Sequence, residues 1–380
     1  MNRQRLTKLY HAVLIALFMI VTTAPLLLAA FSQKQSFSLA EKRPLATLPV
    51  VPRTLKEVQA YPQNLEAYYR DHFGLRDTLV KWRNRIKVQS PDNVLIGKDD
   101  WLFLNGEGYG DPIGDYMNLN LYTEEELEQT ASFLAAKAAW LKAQGIAYIF
   151  MIASDKATIY PEKLPSYIQK QAQPSATDQL VNYLKANTEV VYVHPREALL
   201  NAKDEGFLLY YPSDTHWNSY GANVAQYELA KAVQAFFPAL EPILHPKEAF
   251  REAEKEGGDL ALFLNLQESY SDPAYWLKQA PCKLKLEPPD AKDTDTFSHL
   301  CEEGSLKALI FRDSFFSALK PYISAYFAQA TYVHKEASYD LLKELIALYK
   351  PDIVIEELVA RKLPYMPELD DRFFQDVPTN

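Results

Sequence analysis

The sequence predicts an α/β fold built around a doubly wound, mostly parallel sheet. Short apolar runs typical of buried strands occur at 146–153, 190–193, 207–211, 306–311, 331–334 and 353–355. Segments with helical spacing occur between them, at 123–145, 177–186, 219–236, 316–328 and 339–349. Strands that alternate with helices need crossover connections, which favour parallel pairing. With 380 residues, 48% of them hydrophobic, the chain can bury such a core.

The N-terminus predicts a membrane anchor. Arg3, Arg5 and Lys8 precede a stretch at 12–33 that has no charged side chain. About 20 helical residues span a bilayer core, and basic residues favour the cytoplasmic side. We therefore expect residues 1–33 to be an uncleaved signal anchor and the rest to be exported. A cleaved signal peptide is the alternative, because Ala29 and Ala30 are small.

A linker with a helical and hairpin region is predicted at 34–115. Proline and polar residues at 32–61 indicate an extended lead, 64–88 a helical pair interrupted at Gly74, and 94–105 a hairpin. The main domain is predicted at 116–380. Within it, residues at about 238–304 are rich in prolines and charges and are expected to form an irregular insertion.

Charge and cysteine content narrow the function classes. The net charge of -9, without a long basic run, lacks the footprint of a nucleic-acid-binding protein. An exported chain with only two cysteines favours a disulfide between Cys282 and Cys301, with two free thiols as the alternative. No metal site and no cofactor are predicted.

Ligands of open α/β sheets bind beyond the carboxyl ends of the strands. Ser314 follows one predicted strand at a turn into a helix, the setting of an exposed nucleophile. Asp214 and His216 follow another and lie two residues apart, so an acid can orient a base that faces Ser314. His334 also ends a predicted strand, but no acid lies two residues before it, as Asp214 does before His216.

Other interpretations of these residues stay open. Ser314 or Asp313 alone can cap the following helix, and Asp214 with His216 can be a loop pair that caps the helix after Asn218. A metal site at Asp214 and His216 is a further alternative, although the spacing shows no third ligand.

Four residues are candidates for substrate binding: Trp217, Lys156, Tyr160 and Arg312. Trp217 offers a flat platform for a sugar ring, or is a packing residue at the helix entrance. Lys156 and Tyr160 either line the same cleft or belong to an exposed turn before Pro161.

These segments resemble the alginate O-acetyltransferase family of the AlgJ and AlgX type, whose fold is a variant of the SGNH hydrolase fold. The resemblance rests on the ordered motifs NLEAYYRDHFGLRD, LIGKDDWLF, KATIYPEKLP, DTHWNSYGA, GGDLALFLNL, FRDSFFSALKPYISAYF and PDIVIEELVAR. It implies a triad of Asp214, His216 and Ser314, in the permuted order of the acetyltransferases. Arg312 departs from the Gly-Asp-Ser block of many SGNH enzymes, because it occupies the glycine position.

The resemblance implies an extracytoplasmic enzyme that moves acetyl groups through acyl-Ser314 onto hydroxyls of an exported, alginate-like polysaccharide. It also implies a membrane-bound acyltransferase partner that supplies acetyl groups, and a location at the periplasmic face of the inner membrane. A soluble periplasmic protein follows instead if the leader is cleaved. The alternatives are a carbohydrate acetylesterase and a non-catalytic glycan-binding component of an envelope complex.

Overall fold

The computed structural model describes residues 46–72, 93–287, 295–366 and 370–375, together with isolated positions before residue 46. The chain divides into a smaller unit, 1–91 with 261–269, and a larger unit, 92–260 with 270–380. Among the described residues, no helix has both the length and the apolar character needed to cross a bilayer. Apart from four isolated positions, the predicted anchor at 12–33 lies outside the described residues.

The smaller unit contains one long helix. Strands β1 (Phe37–Ser38) and β2 (Arg43–Pro44) pair antiparallel, and helix α1 spans Leu55–Asp71. The prediction of an extended lead to residue 61 is therefore wrong from Leu55 onward, because Pro62 lies inside the helix instead of preceding it. The second helix predicted after Gly74 lies outside the described residues.

The larger unit holds the remaining elements, except the part of Asp259–Phe263 from Ala261 onward and the turn Gln267–Ser269, which belong to the smaller unit. Its strands are β3 (Val94–Ile96), β4 (Leu102–Leu104), β5 (Ala147–Ala153), β6 (Tyr192–Val193), β7 (Phe250–Glu256), β8 (Ser271–Leu277), β9 (Lys285–Glu287), β10 (Thr296–Leu300), β11 (Leu306–Phe311), β12 (Phe327–Val333) and β13 (Ile353–Val359). The helices that follow α1 in the chain are α2 (Pro112–Tyr116), α3 (Glu124–Lys142), α4 (Lys156–Ile159), α5 (Ala176–Asn187), α6 (Arg196–Lys203), α7 (Ser219–Phe236), α8 (Asp259–Phe263), α9 (Lys320–Ile323), α10 (Tyr339–Tyr349) and α11 (Arg372–Gln375). Short 3-10 turns occur at Lys98–Asp100, Glu107–Tyr109, Pro161–Lys163, Lys247–Ala249, Gln267–Ser269, Phe315–Ala318, Ser324–Tyr326 and Ala360–Tyr365.

A seven-stranded mixed sheet forms the centre of the larger unit, in the order β6-β5-β13-β11-β12-β10-β9. The five strands from β6 to β12 are parallel to their neighbours, whereas β10 pairs antiparallel with both β12 and β9. The predicted parallel core is confirmed, and the antiparallel edge is an addition to it.

Helices cover both faces of this sheet, as the side chains that point alternately to the two faces along β5 show. Tyr148, Phe150 and Ile152 pack with residues of α3, α5 and α10. Ile149 and Met151 face the other way and pack with α7. Side chains that alternate between two apolar layers are typical of a doubly wound sheet.

Local signals explain where the helix before β5 begins and ends. The Thr123 hydroxyl accepts the Glu126 N–H, and the Glu126 carboxylate accepts the Thr123 N–H, which completes the predicted capping box of α3. Gly145 has φ +75°, so the chain leaves the helix through the left-handed conformation that glycine favours.

The irregular insertion predicted at 238–304 is wrong for two parts of that segment. Strands β7 and β8 form an antiparallel ribbon, and β9 and β10 extend the main sheet. The ribbon has one solvated face, which accounts for the charged residues that resembled a loop. The helix predicted at 316–328 is also wrong: short turns and α9 fill 315–326, and β12 begins at Phe327.

Candidate active site

Ser314 lies at a sharp turn directly after the buried strand β11. The Asp313 carboxylate shapes this turn, since it accepts the N–H groups of Phe315 at 2.8 Å and Val359 at 3.0 Å. The Asp313 N–H donates to Glu357 Oε2 at 3.0 Å. The end of β13 therefore supports the turn, and Ser314 itself stays exposed to solvent.

The segment that carries Asp214 and His216 is a tight loop and does not follow a strand of the sheet. The strand predicted at 207–211 is wrong; the segment makes only an isolated bridge, between Tyr210 and Trp217. Leu209, Tyr210 and Tyr211 are buried by packing, and Leu209 donates its N–H to the Tyr160 hydroxyl at 2.9 Å. After the loop, Asn218 caps α7 by accepting two backbone N–H groups.

The loop and the turn bring the three predicted residues into one hydrogen-bonded chain. His216 Nε2 lies 2.8 Å from Ser314 Oγ, and His216 Nδ1 lies 2.7 Å from Asp214 Oδ1. The His216 side chain is 26% exposed and that of Asp214 is 12% exposed, so the acid is shielded while the base and the hydroxyl are accessible. This order of groups is that of a nucleophile, a base and an orienting acid.

Asp214 is held in its ionised form. Burial alone would raise its pKa, but hydrogen bonds and charge from His216, with the charge of Lys255, hold the pKa well below its ordinary value. Lys255 Nζ lies 3.5 Å from Asp214 Oδ2. Asp214 therefore presents a carboxylate to the imidazole at neutral pH.

Three of the four residues predicted to bind substrate are inside the protein. Trp217 is 1% exposed and donates its indole N–H to the Phe315 carbonyl at 2.9 Å, so it cannot offer a face to a sugar. Tyr160 is 3% exposed. Lys156 is buried as well, and its ammonium group donates to the carbonyl oxygens of Tyr211, Pro212 and Asp214. These predictions are wrong because each side chain is packed away from the solvent.

Arg312 remains beside Ser314 and is partly exposed. Its guanidinium group donates to the Asp313 carbonyl at 3.1 Å and to Ser317 Oγ at 3.2 Å. Burial lowers the pKa of Arg312, and nearby carboxylates oppose that shift. The side chain that replaces the expected glycine thus braces the turn from outside.

A second carboxylate, Asp259, borders the site and was missed by the sequence analysis. It belongs to the GGDLALFLNL motif, the only signal that singled it out. Asp214, His216 and Asp259 each place a ligand-type atom within 4.8 Å of the others, so the third ligand that the spacing did not show is present. A metal ion there would displace the proton between His216 Nδ1 and Asp214, which the orienting role requires.

The cysteines lie away from these groups. Cys282 and Cys301 form a disulfide, the predicted pairing, next to the edge strands β9 and β10.

Comparisons with known proteins agree with the fold. A family model described as SGNH hydrolase-like domain, acetyltransferase AlgX, matches residues 94–310, more than half of the chain. The match includes Asp214 and His216 and ends shortly before Ser314.

Two curated relatives carry the description probable alginate O-acetylase AlgJ. The chain is 28% identical to the Pseudomonas fluorescens protein over 224 residues, 58% of this chain and 50% of that protein. It is 28% identical to the Pseudomonas putida protein over 184 residues, 47% of this chain and 44% of that one. The matched region thus spans about half the length of these relatives, or slightly less.

The fold is also similar to that of a solved structure, Bacillus cereus PatB1. The TM-score is 0.50 at 14% identity, covering 74% of this chain and 98% of that chain. This likeness concerns the fold alone, and together with the family model it identifies the α/β unit as SGNH-like with a mixed sheet.

Proposed function

The chain belongs to the AlgX-type family of SGNH hydrolase-like acetyltransferase domains, and on that premise we propose that it is a polysaccharide O-acetyltransferase. Asp214, His216 and Ser314 form its catalytic triad in this proposal. The observation that supports it most is the continuous hydrogen-bonded chain from Asp214 Oδ1 through the imidazole to Ser314 Oγ, with links of 2.7 Å and 2.8 Å.

In the first step, Ser314 Oγ attacks the carbonyl carbon of an acetyl donor. The hydroxyl proton moves to His216 Nε2, which is free to accept it when Nδ1 carries the other proton toward Asp214. As the bond to the leaving group breaks, His216 returns the proton to that group. The products are acetyl-Ser314 and the deacetylated donor.

In the second step, a sugar hydroxyl attacks acetyl-Ser314. His216 Nε2 takes the hydroxyl proton and returns it to Ser314 Oγ, which leaves as the sugar ester forms. Within the described part of the chain, the Ser314 N–H donates to no acceptor. We assign it as a donor to the negative oxygen of both tetrahedral intermediates.

An acetylesterase is the second candidate function, because Ser314 is exposed and His216 is partly exposed, so water reaches acetyl-Ser314. Transfer and hydrolysis share the first step and differ only in the hydroxyl that completes the second.

The cellular location, the acetyl-supplying partner and the acceptor are part of the same proposal. The uncharged stretch at 12–33 supports a membrane-attached protein that acts outside the cytoplasm, at the periplasmic face of the inner membrane. A membrane-bound acyltransferase would deliver the acetyl groups. The descriptions of the Pseudomonas relatives suggest an alginate-like acceptor.

The test is acetyl turnover by the full-length protein and by Ser314→Ala. We expect the substitution to lower kcat for an activated acetyl ester by about a thousandfold or more, because it removes the attacking atom. Mass spectrometry should find an acetyl group on the wild-type peptide that contains Ser314, and on an added polysaccharide. The matched control is Ser338→Ala, the same change at an exposed serine whose hydroxyl makes no capping hydrogen bond.

Two outcomes would contradict the proposal. Equal turnover by Ser314→Ala would exclude Ser314 as the nucleophile. Released acetate without acetylated polysaccharide, over a panel of neutral and acidic polymers, would replace transfer by hydrolysis.

A further inference from the structure

Asp259 holds the residue that lies between the two halves of the acid–base pair. Its Oδ1 accepts the backbone N–H of Thr215 at 2.8 Å and the Thr215 hydroxyl at 3.0 Å. Thr215 connects Asp214 to His216 in the loop. One carboxylate oxygen therefore fixes the backbone from which both the acid and the base project.

Gly258 lets this segment approach Asp214 closely. A Cβ atom at Gly258 would lie 2.2 Å from Asp214 Cβ and 2.3 Å from Asp214 Oδ2, so no other residue fits without moving the acid. The Gly258 N–H donates to Ser213 Oγ at 2.9 Å, and the Asp259 N–H to Asp214 Oδ2 at 3.4 Å. The segment thus binds the loop through backbone as well as side-chain atoms.

The second oxygen of Asp259 faces the imidazole. Asp259 Oδ2 lies 3.8 Å from His216 Nδ1, the same ring nitrogen that Asp214 Oδ1 approaches at 2.7 Å. The Asp259 side chain is 19% exposed, which limits screening by water. A positive charge that forms on the imidazole therefore meets two carboxylates instead of one.

We propose that Gly258 and Asp259 are positioning residues of the triad: Gly258 admits the segment against Asp214, and Asp259 holds Thr215 and places a second carboxylate beside His216. The proposal rests on the triad proposed above. The site then consists of three chain segments: the loop with Asp214 and His216, the turn with Ser314, and the segment with Gly258 and Asp259. The proposal also gives a role to the GGD part of the motif at 257–266.

Two substitutions at Asp259 separate the hydrogen bonds from the charge. Asp259→Asn keeps an oxygen that can accept from Thr215 and loses the charge, whereas Asp259→Ala loses both. For turnover of an activated acetyl ester by the full-length protein, we expect kcat to fall about threefold to tenfold in Asp259→Asn and about 10- to 100-fold in Asp259→Ala. KM should stay within about twofold, because neither change alters the exposed surface at Ser314.

The matched control is Glu254→Gln, which removes the same charge from an exposed position on β7 whose carboxylate accepts the Ser271 hydroxyl. It should leave kcat and KM as in the wild type. Equal effects of Asp259→Asn and Asp259→Ala would overturn the proposed two-part role. A kcat unchanged in Asp259→Ala, or an increase confined to KM, would overturn positioning altogether.

Gly258→Ala is a separate test of the close approach. We expect it to lower kcat at least as much as Asp259→Ala, because Asp214 must shift. The control is Gly108→Ala, since an added Cβ there meets no atom within 4 Å. Wild-type kcat in Gly258→Ala would contradict the role of Gly258, and if that variant fails to fold, the Asp259 pair decides the question.

A further measurement separates this inference from the proposed function. If the wild type shows no Ser314-dependent turnover, the proposed function fails, but the proton NMR signal of His216 Nδ1–H still reports on Asp259. We expect that signal to move in Asp259→Asn and to stay in place in Glu254→Gln. An unmoved signal would overturn the inference, as would activity that is lost with a chelator and restored by Zn²⁺, because the carboxylates would then be metal ligands.

Discussion

Replacing Lys156 by methionine tests what holds the loop that carries Asp214 and His216. The Lys156 ammonium group is buried and donates to the carbonyl oxygens of Tyr211 at 3.1 Å, Pro212 at 3.1 Å and Asp214 at 2.6 Å. Methionine has a similar length but no donor. Lys156→Met should therefore remove the ammonium donor from all three carbonyl oxygens, although that of Pro212 keeps the Leu102 N–H at 2.9 Å and that of Tyr211 the Asp214 N–H at 3.5 Å. We expect this loss to lower the free energy of unfolding at pH 7 by about 2–4 kcal/mol.

The pH dependence of the free energy of unfolding provides a second, independent test of Lys156. Burial lowers the pKa of Lys156 from 10.5 to about 8, although the carboxylates of Asp214, Asp259 and Asp272 act in the opposite direction. Between these two values the unfolded chain binds more protons than the folded chain, so the free energy of unfolding rises with pH. At about 1.4 kcal/mol per pH unit, the wild type should gain about 2 kcal/mol relative to Lys156→Met between pH 7 and about pH 9.5.

Urea unfolding followed by circular dichroism, at both pH values and for both proteins, measures the two effects. When the free energy of unfolding of Lys156→Met is subtracted from that of the wild type, the contributions of titratable groups that both proteins contain cancel. If the difference in the free energy of unfolding between the two proteins stays constant or becomes smaller at the higher pH, the interpretation of Lys156 as a buried cation is refuted. Equal stability at pH 7 would refute its role in holding the loop.

Two further substitutions test neighbouring contacts. Trp217→Phe should lower Tm by about 4–8 °C and kcat by about tenfold with KM unchanged, because the indole N–H holds the Phe315 carbonyl next to Ser314; a raised KM at unchanged Tm would indicate sugar binding instead. Burial raises the pKa of Glu357 well above its ordinary value, and Asp313 adds to the shift. The folded state then keeps a proton that the unfolded chain releases above about pH 4.3, so stability falls as pH rises toward the folded pKa. Glu357→Gln should flatten this slope between pH 5 and pH 8, and identical slopes in thermal unfolding would contradict the shift.

The sequence predicts the parallel core well, because strands buried on both faces are short apolar runs. Strands β5 and β11 lie at the predicted positions, β13 begins at the predicted residue but continues to Val359, and α10 has the predicted bounds, Tyr339–Tyr349. The segment at 207–211 has the same apolar character without being a strand, because its side chains are buried by packing in the core instead of by sheet neighbours. Composition alone does not distinguish these two kinds of burial.

The close approach of Asp214, His216 and Ser314 could be predicted from residue type, spacing and family resemblance. The contacts that hold these three residues in place could not be predicted. Asp259 is 43 residues from His216 in the chain, and nothing in the sequence brings them together. Lys156 and Trp217 resemble exposed, substrate-binding residues until the structure shows three carbonyl oxygens around the ammonium group and a buried indole. Such contacts depend on tertiary packing, which a local pattern does not encode.

The support of the Ser314 turn by β13 has a consequence for how the protein is made. Glu357 and Val359 both bind Asp313, so the turn is complete only after synthesis has passed residue 359, 45 residues beyond Ser314. A partly synthesised chain that already carries Asp214, His216 and Ser314 lacks these two contacts. The turn that carries Ser314 is thereby completed only when β13 has been made, and truncation before β13 should abolish the proposed activity while leaving Asp214, His216 and Ser314 in place.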